Sequence, residues 1–129
     1  MVRLLLIALA GALGTATRYL VGLGAVRTLG ADFPYGTLMV NLAGCFLMAV
    51  VVEVAVSTDL VPPTLRLVLT TGFMGGLTTY SSFNLETTRF IEARAWYAAL
   101  VNLGLTVGGC FVAGLLGVVV ARRLFGAGF

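Results

Sequence analysis

The sequence predicts an all-α integral membrane protein built as one transmembrane domain over residues 1–129, with four spanning helices and a break in the third. Three observations lead there. Apolar residues make up 60% of the 129 residues and charged residues only 10%, with a mean hydropathy of +1.07. A soluble domain carries about 25% charged residues, so this chain cannot clothe a soluble surface. Apolar stretches near the roughly 20 residues that a spanning helix needs recur four times, at about 4–26, 35–56, 65–90 and 96–124, separated by short polar connectors. The third stretch is interrupted by Gly75-Gly76-Leu77-Thr78-Thr79-Tyr80-Ser81-Ser82-Phe83. Two glycines followed by two β-branched threonines are poor at continuing a helix.

The first span opens on Arg3 and Leu4-Leu5-Leu6-Ile7, as a signal peptide does, but its apolar run continues past any plausible cleavage point. It is therefore read as a span. Gly11 with Thr15 here, and Gly104 with Gly108 in the fourth span, have the small-xxx-small spacing that allows close helix approach within or between subunits. Arg18 lies 14 residues beyond Leu4, about 21 Å along a helix rising 1.5 Å per residue. At that depth it either snorkels to the far interface or draws anions into a vestibule.

The second span carries Asn41, whose amide must be satisfied by protein or water rather than lipid. It is either glue between helices or a ligand. Glu53 falls near the end of this span, at the interface.

The third span holds most of the polarity. Lipid tolerates broken backbone only where protein or a water-filled path satisfies the freed groups. Carbonyls released between Gly75 and Thr79 either gather around a small hard cation, which favours oxygen ligands, or close a plain kink with hydroxyls and water. Tyr80 and Phe83, three residues apart, share a face once the helix resumes. They either pack a core or offer their electropositive ring edges to an anion. Thr78, Thr79, Ser81, Ser82 and Asn84 crowd the same short segment. Glu86, two turns on, is expected to pair with an arginine or to cap rearranged backbone. In the fourth span Asn102, Thr106 and Cys110, spaced by four, form a polar stripe that serves as a track or as packing glue.

The loop charges bear on orientation. With four spans, Arg3, Arg66, Arg122 and Arg123 fall on one side, and Arg27, Arg89 and Arg94 on the other. Such balance is close to no bias, whereas orientation follows a clear Lys/Arg asymmetry. Either the chain has one weakly biased topology, or it inserts both ways and pairs as an antiparallel, dual-topology homodimer, the arrangement that inverted repeats achieve within one transporter.

Several function classes are set aside. The chain has no histidine to serve as base or metal ligand. Cys45 and Cys110 sit in apolar runs, are read as small buried hydrophobes, and cannot build a four-ligand zinc site. An enzyme is not expected. A net charge of +3 scattered over eight arginines gives no basic arm, so no nucleic-acid partner is expected either. The polar atoms near the break are mostly neutral donors: amide N–H, hydroxyl O–H and ring edges. No ring of carboxylates marks a cation pore, and no arginine cluster marks a phosphate-like pore. A small monovalent anion fits that donor set.

Gly36-Thr37-Leu38 with Val40-Asn41 and Gly44, then Gly72-Phe73 with the Gly75–Phe83 run and Glu86, resemble the Fluc/CrcB family of fluoride channels. Gly11-x-x-Gly14-x-x-x-Arg18 matches as well, and the resemblance covers essentially the whole chain. It implies a dual-topology antiparallel homodimer in the cell inner (plasma) membrane. Its two pores would export fluoride passively and so relieve fluoride toxicity. It implies a central structural Na⁺ at the dimer interface, held by backbone carbonyls that fall on Gly75 and Thr78. The pore aromatics fall on Tyr80 and Phe83 and the pore amide on Asn41. Ser81, Thr37 and Thr106 are expected to add hydroxyls, with Arg18 and Glu86 as vestibule or structural charges. The family usually has Phe where Tyr80 stands, Ser where Asn84 stands, and Tyr or Ser where Asn102 and Cys110 stand. The rival reading is a small dual-topology proton-coupled multidrug exporter. Such proteins couple through a carboxylate, typically a Glu in helix 1, and the charges of helix 1 here are Arg3 and Arg18.

Overall fold

A computed structural model describes residues 1–126. These form helices joined by short connectors, with no strand among the described residues. The first helix, α1 (Val2–Leu29), is rich in Leu and Ala and stops at Gly30, whose φ of 90° suits only glycine without strain. Next, α2 (Tyr35–Ser57) starts after Pro34 and stops where Thr58 turns extended. Thr58 then uses its own hydroxyl on the Val54 carbonyl at 2.8 Å. A short α3 (Pro63–Leu67) begins on a proline at its first position, where the missing N–H has no helical partner to lose. It runs straight into a π-helical stretch, Val68–Met74, and then α4 (Gly75–Leu77). After an extended Thr78–Thr79 pair, α5 (Tyr80–Glu92) resumes. Finally α6 (Trp96–Phe125) ends on a left-handed Gly126 with φ of 69°.

Three helices, α1, α2 and α6, are long and apolar enough to cross a membrane. Their outward faces carry exposed Leu4, Leu5, Leu13, Leu20, Leu100, Phe111 and Leu116. Such a continuous apolar surface is stable against hydrocarbon, not against water. The internal core is correspondingly small: Val40, Met74 and Leu77, flanked by Val21, Met48, Val51 and Phe73. α2 packs along α6, while α1 packs against α2, the π stretch and α4.

The structure narrows the break expected over Gly75–Phe83 to its two threonines and removes the glycines from it. Gly75 is helical, with φ −61° and ψ −36°, and α4 continues through Gly76 to Leu77. Gly76 is there for approach, because a Cβ on it would run into the Gly11 carbonyl of α1. Gly14 likewise faces the Phe73 carbonyl. The break itself falls at Thr78–Thr79, whose φ/ψ pairs are −82°/155° and −153°/111°. Of the two packings expected for Gly104 and Gly108, within or between subunits, the first is not seen. A Cβ at either would meet nothing within 4 Å, so their small-residue face packs no helix of its own chain among the described residues.

Candidate functional site

The break is held from the second helix. Thr79 donates its backbone N–H to Asn41 Oδ1 at 2.7 Å, and Asn41 Nδ2 donates back to the Thr79 carbonyl at 3.1 Å. Both residues are 7% exposed. A side-chain amide thus replaces the helical partners of one extended residue, as buried backbone polar groups require. Below the break, Thr78 returns both its N–H and its hydroxyl to the Met74 carbonyl at 2.9 Å. Above it, Thr79 Oγ1 accepts the Ser82 N–H at 3.2 Å, which makes Thr79 the N-cap of α5.

The break takes their helical donors from several carbonyls, two of them traceable to the bonds just described. In an unbroken helix the Thr79 N–H would reach the Gly75 carbonyl and the Ser82 N–H would reach the Thr78 carbonyl. Here those two donors go to Asn41 Oδ1 and Thr79 Oγ1. Gly75 is exposed and Thr78 half-buried. Gly75 and Thr78, which the family resemblance implies as cation ligands, are thus among the carbonyls at or just before the break whose helical donors are lost, as are those of Gly76 and Leu77.

Beside the break lies a cavity of about 240 Å³ lined by Asn41, Tyr80, Phe83 and Thr106, together with Cys45, Thr78, Thr79 and Cys110. The rings of Tyr80 and Phe83 meet edge to face, with centroids 5.6 Å apart and planes at 65°. Phe83 is 3% exposed and Tyr80 77%, so one ring belongs to the interior and the other to the outer face. Thr106 Oγ1 is buried with no hydrogen-bond partner. No charged side chain lines this cavity.

Four of the six predicted pore residues are thus brought together. Thr37 is not among them. Its hydroxyl donates to Glu86 Oε1 at 2.6 Å. It lines a second cavity, of about 330 Å³, with Arg18, Thr79 and Ser82, and a third of about 570 Å³ with Arg18, Asp32, Glu86 and Arg89. Ser81 is exposed, with its hydroxyl 3.3 Å from Thr79 Oγ1, and lines none of the three. Neighbouring cavities share walls: Arg18 and Thr37 bound those of about 570 and 330 Å³, and Thr79 bounds those of about 330 and 240 Å³. They form a series from the α1–α2 connection to the break.

Glu86 is held by a threonine hydroxyl instead of an arginine, and its Oε2 is buried without a partner. Glu53, placed at the interface from sequence, forms an ion pair with Arg122 at 2.7 Å. Asn102 is glue: it donates to Thr87 Oγ1 at 2.9 Å and ties α6 to α5. Sequence reasoning missed the capping role of Thr79, although a threonine followed three residues later by a polar Ser82 is a helix-start signal. It also missed the Asn41–Thr79 clamp, which joins residues 38 apart and leaves no local trace.

The family described as CrcB-like protein, Camphor Resistance (CrcB), matches residues 5–118. A protein named fluoride-specific ion channel FluC from Sorangium cellulosum (strain So ce56) is 54% identical over 118 residues, which are 92% of this chain and 93% of that protein. A protein of the same name from Anaeromyxobacter sp. (strain K) is 48% identical over 126 residues, 98% of this chain and 100% of the other. Another, from Citrifermentans bemidjiense, is 45% identical over 124 residues, 96% of this chain and 100% of the other.

Proposed function

The chain belongs to the CrcB family, and from that membership we infer that it is a fluoride-specific ion channel of the plasma membrane. It lets fluoride run down its electrochemical gradient and so limits fluoride toxicity. One observation in the chain itself carries the reading. The cavity beside the break brings Asn41, the Tyr80 and Phe83 rings and the unpartnered Thr106 hydroxyl together without a charged side chain. A small anion stripped of water needs neutral donors of that kind, which hold it without trapping it. Asn41 has committed one amide hydrogen and its oxygen to Thr79, and its second amide hydrogen is the donor it would offer.

The broken segment from Pro63 to Glu92 also crosses the membrane, third in chain order, being about as long as α6 and bringing the spans to four. Two copies pair antiparallel. The near-even arginine distribution supports this, as do the exposure of Tyr80 and Gly75 beside the break and the uncovered Gly104–Gly108 face. Na⁺ would be held by the Gly75 and Thr78 carbonyls. When bound, it supplies a fixed positive charge that ties the two breaks together. Arg18 draws anions into the larger cavities, where its guanidinium shares walls with Thr37. Ser81 reaches the pore from the partner-facing side of α5.

The test is fluoride efflux from liposomes containing purified protein under a fluoride gradient, with chloride as control. Efflux of fluoride without chloride is the expected result. Absence of fluoride efflux, while a family member conducts in the same vesicles, overturns the reading.

A further inference from the structure

Cys45 on α2 and Cys110 on α6 line the same two cavities where these helices pack together, and neither is in a disulfide. Both line the 240 Å³ cavity that holds Asn41, Tyr80, Phe83 and Thr106. Both also line a separate apolar cavity of about 550 Å³ walled by Met48, Val52, Phe111 and Val118. Only Cys45, Cys110 and Thr78 belong to both walls. The two sulfurs thus stand at the partition between the polar cavity and the apolar one, half-buried and on rigid helices.

We propose that this dithiol is a binding site for a soft two-coordinate cation of the Hg²⁺ class, and that its occupation closes the adjoining polar cavity. Three arguments support the choice of ion. Soft thiolate ligands select soft metals over Na⁺, Mg²⁺ or Ca²⁺. No group of three or more His, Cys, Asp or Glu side chains clusters among the described residues, so a tetrahedral zinc site is not available and a linear two-sulfur site is. A divalent ion with two thiolates is neutral, and neutrality is what a low-dielectric surrounding favours. Binding is a ligand exchange without redox change: two S–H bonds and the two Hg–Cl bonds of the added salt break, two S–Hg bonds form, and two protons and two chloride ions leave to solvent. The closing of the pore rests on the fluoride-channel reading; the binding itself does not.

The experiment titrates purified protein with HgCl₂ and counts free thiols after denaturation. In parallel, fluoride efflux is followed in liposomes, each variant against its own metal-free rate. The expected result is that one equivalent of Hg²⁺ removes both thiols and survives a monothiol competitor such as cysteine. Efflux should fall to that of empty vesicles and return with excess dithiothreitol. Cys45→Ser and Cys110→Ser should each lose the metal to cysteine. The proposal is overturned if each thiol takes its own metal ion, if either single variant retains metal against cysteine as the parent does, or if full one-to-one loading leaves efflux unchanged. A protein that conducts no fluoride without metal refutes the channel reading, and the thiol count still decides the site.

Discussion

Asn41 spends its amide on a single residue of another helix, accepting the Thr79 N–H at 2.7 Å and donating to the Thr79 carbonyl at 3.1 Å. The clamp fixes the point at which the segment from Pro63 to Glu92 leaves the helix. Replacing Asn41 by Ala strands a buried N–H and a buried C=O, each costing about 1–3 kcal/mol. Asn41→Ala is therefore expected to destabilise the chain by on the order of 3 kcal/mol and to abolish efflux, read by thermal unfolding in detergent and by liposome flux. Asn41→Asp keeps the acceptor and loses the donor. It should fall between the two in stability.

Thr106 separates packing from conduction. Its hydroxyl is buried and unpartnered, a state that costs free energy. Thr106→Val is expected to raise stability by about 1 kcal/mol while slowing fluoride efflux. Equal efflux from the two proteins would remove Thr106 from the pore.

The glycines divide by what faces them. A methyl at Gly76 meets the Gly11 carbonyl, and one at Gly104 meets nothing. Gly76→Ala is expected to cost about 1–3 kcal/mol through backbone displacement, whereas Gly104→Ala should leave the chain as stable or raise its stability by up to about 1 kcal/mol through helix propensity. If Gly104 lies against the second copy, Gly104→Ala weakens association without unfolding the chain, which size-exclusion chromatography at falling detergent-solubilised protein concentration would detect.

Thr37 and Glu86 are coupled through a bond of 2.6 Å, and Glu86 Oε2 has no partner. A double-mutant cycle with Thr37→Val and Glu86→Gln should return an interaction energy of about 0.5–3 kcal/mol in unfolding experiments. Additive effects would show that the contact carries no energy.

Sodium is tested by substitution. If the Gly75 and Thr78 carbonyls hold Na⁺, replacing it with N-methyl-D-glucamine should lower the unfolding temperature of the protein, because a ligand bound only by the folded state stabilises it. An unfolding temperature independent of Na⁺ would leave those carbonyls without a cation.

Much of this architecture is written locally. Length and hydropathy mark α1, α2 and α6, and the polar run after Leu77 marks the interruption of the third span. The extent of that interruption was read too broadly because Gly75 and Gly76 carry poor helix propensity but answer to a tertiary demand, the close passage of α1 at Gly11. Tertiary packing overrides propensity readily. The π stretch Val68–Met74 has no residue that announces it. Asn41 was legible as a group requiring a partner, but not which partner, since Thr79 is distant in sequence. Asn102 and Thr106 occupy adjacent turns of one stripe, yet one is bonded to Thr87 and the other is bare. Only the neighbouring helix distinguishes them.

The extended pair Thr78–Thr79 also has an electrostatic consequence. It ends one helical segment and begins another along the same path. The closing end of the first carries the partial negative charge of unpaired carbonyls, and the opening end of the second carries the partial positive charge of unpaired amides. Opposite fields therefore sit within two residues of each other, so a cation and an anion can each find a stabilising pole at one interruption without any ionised side chain.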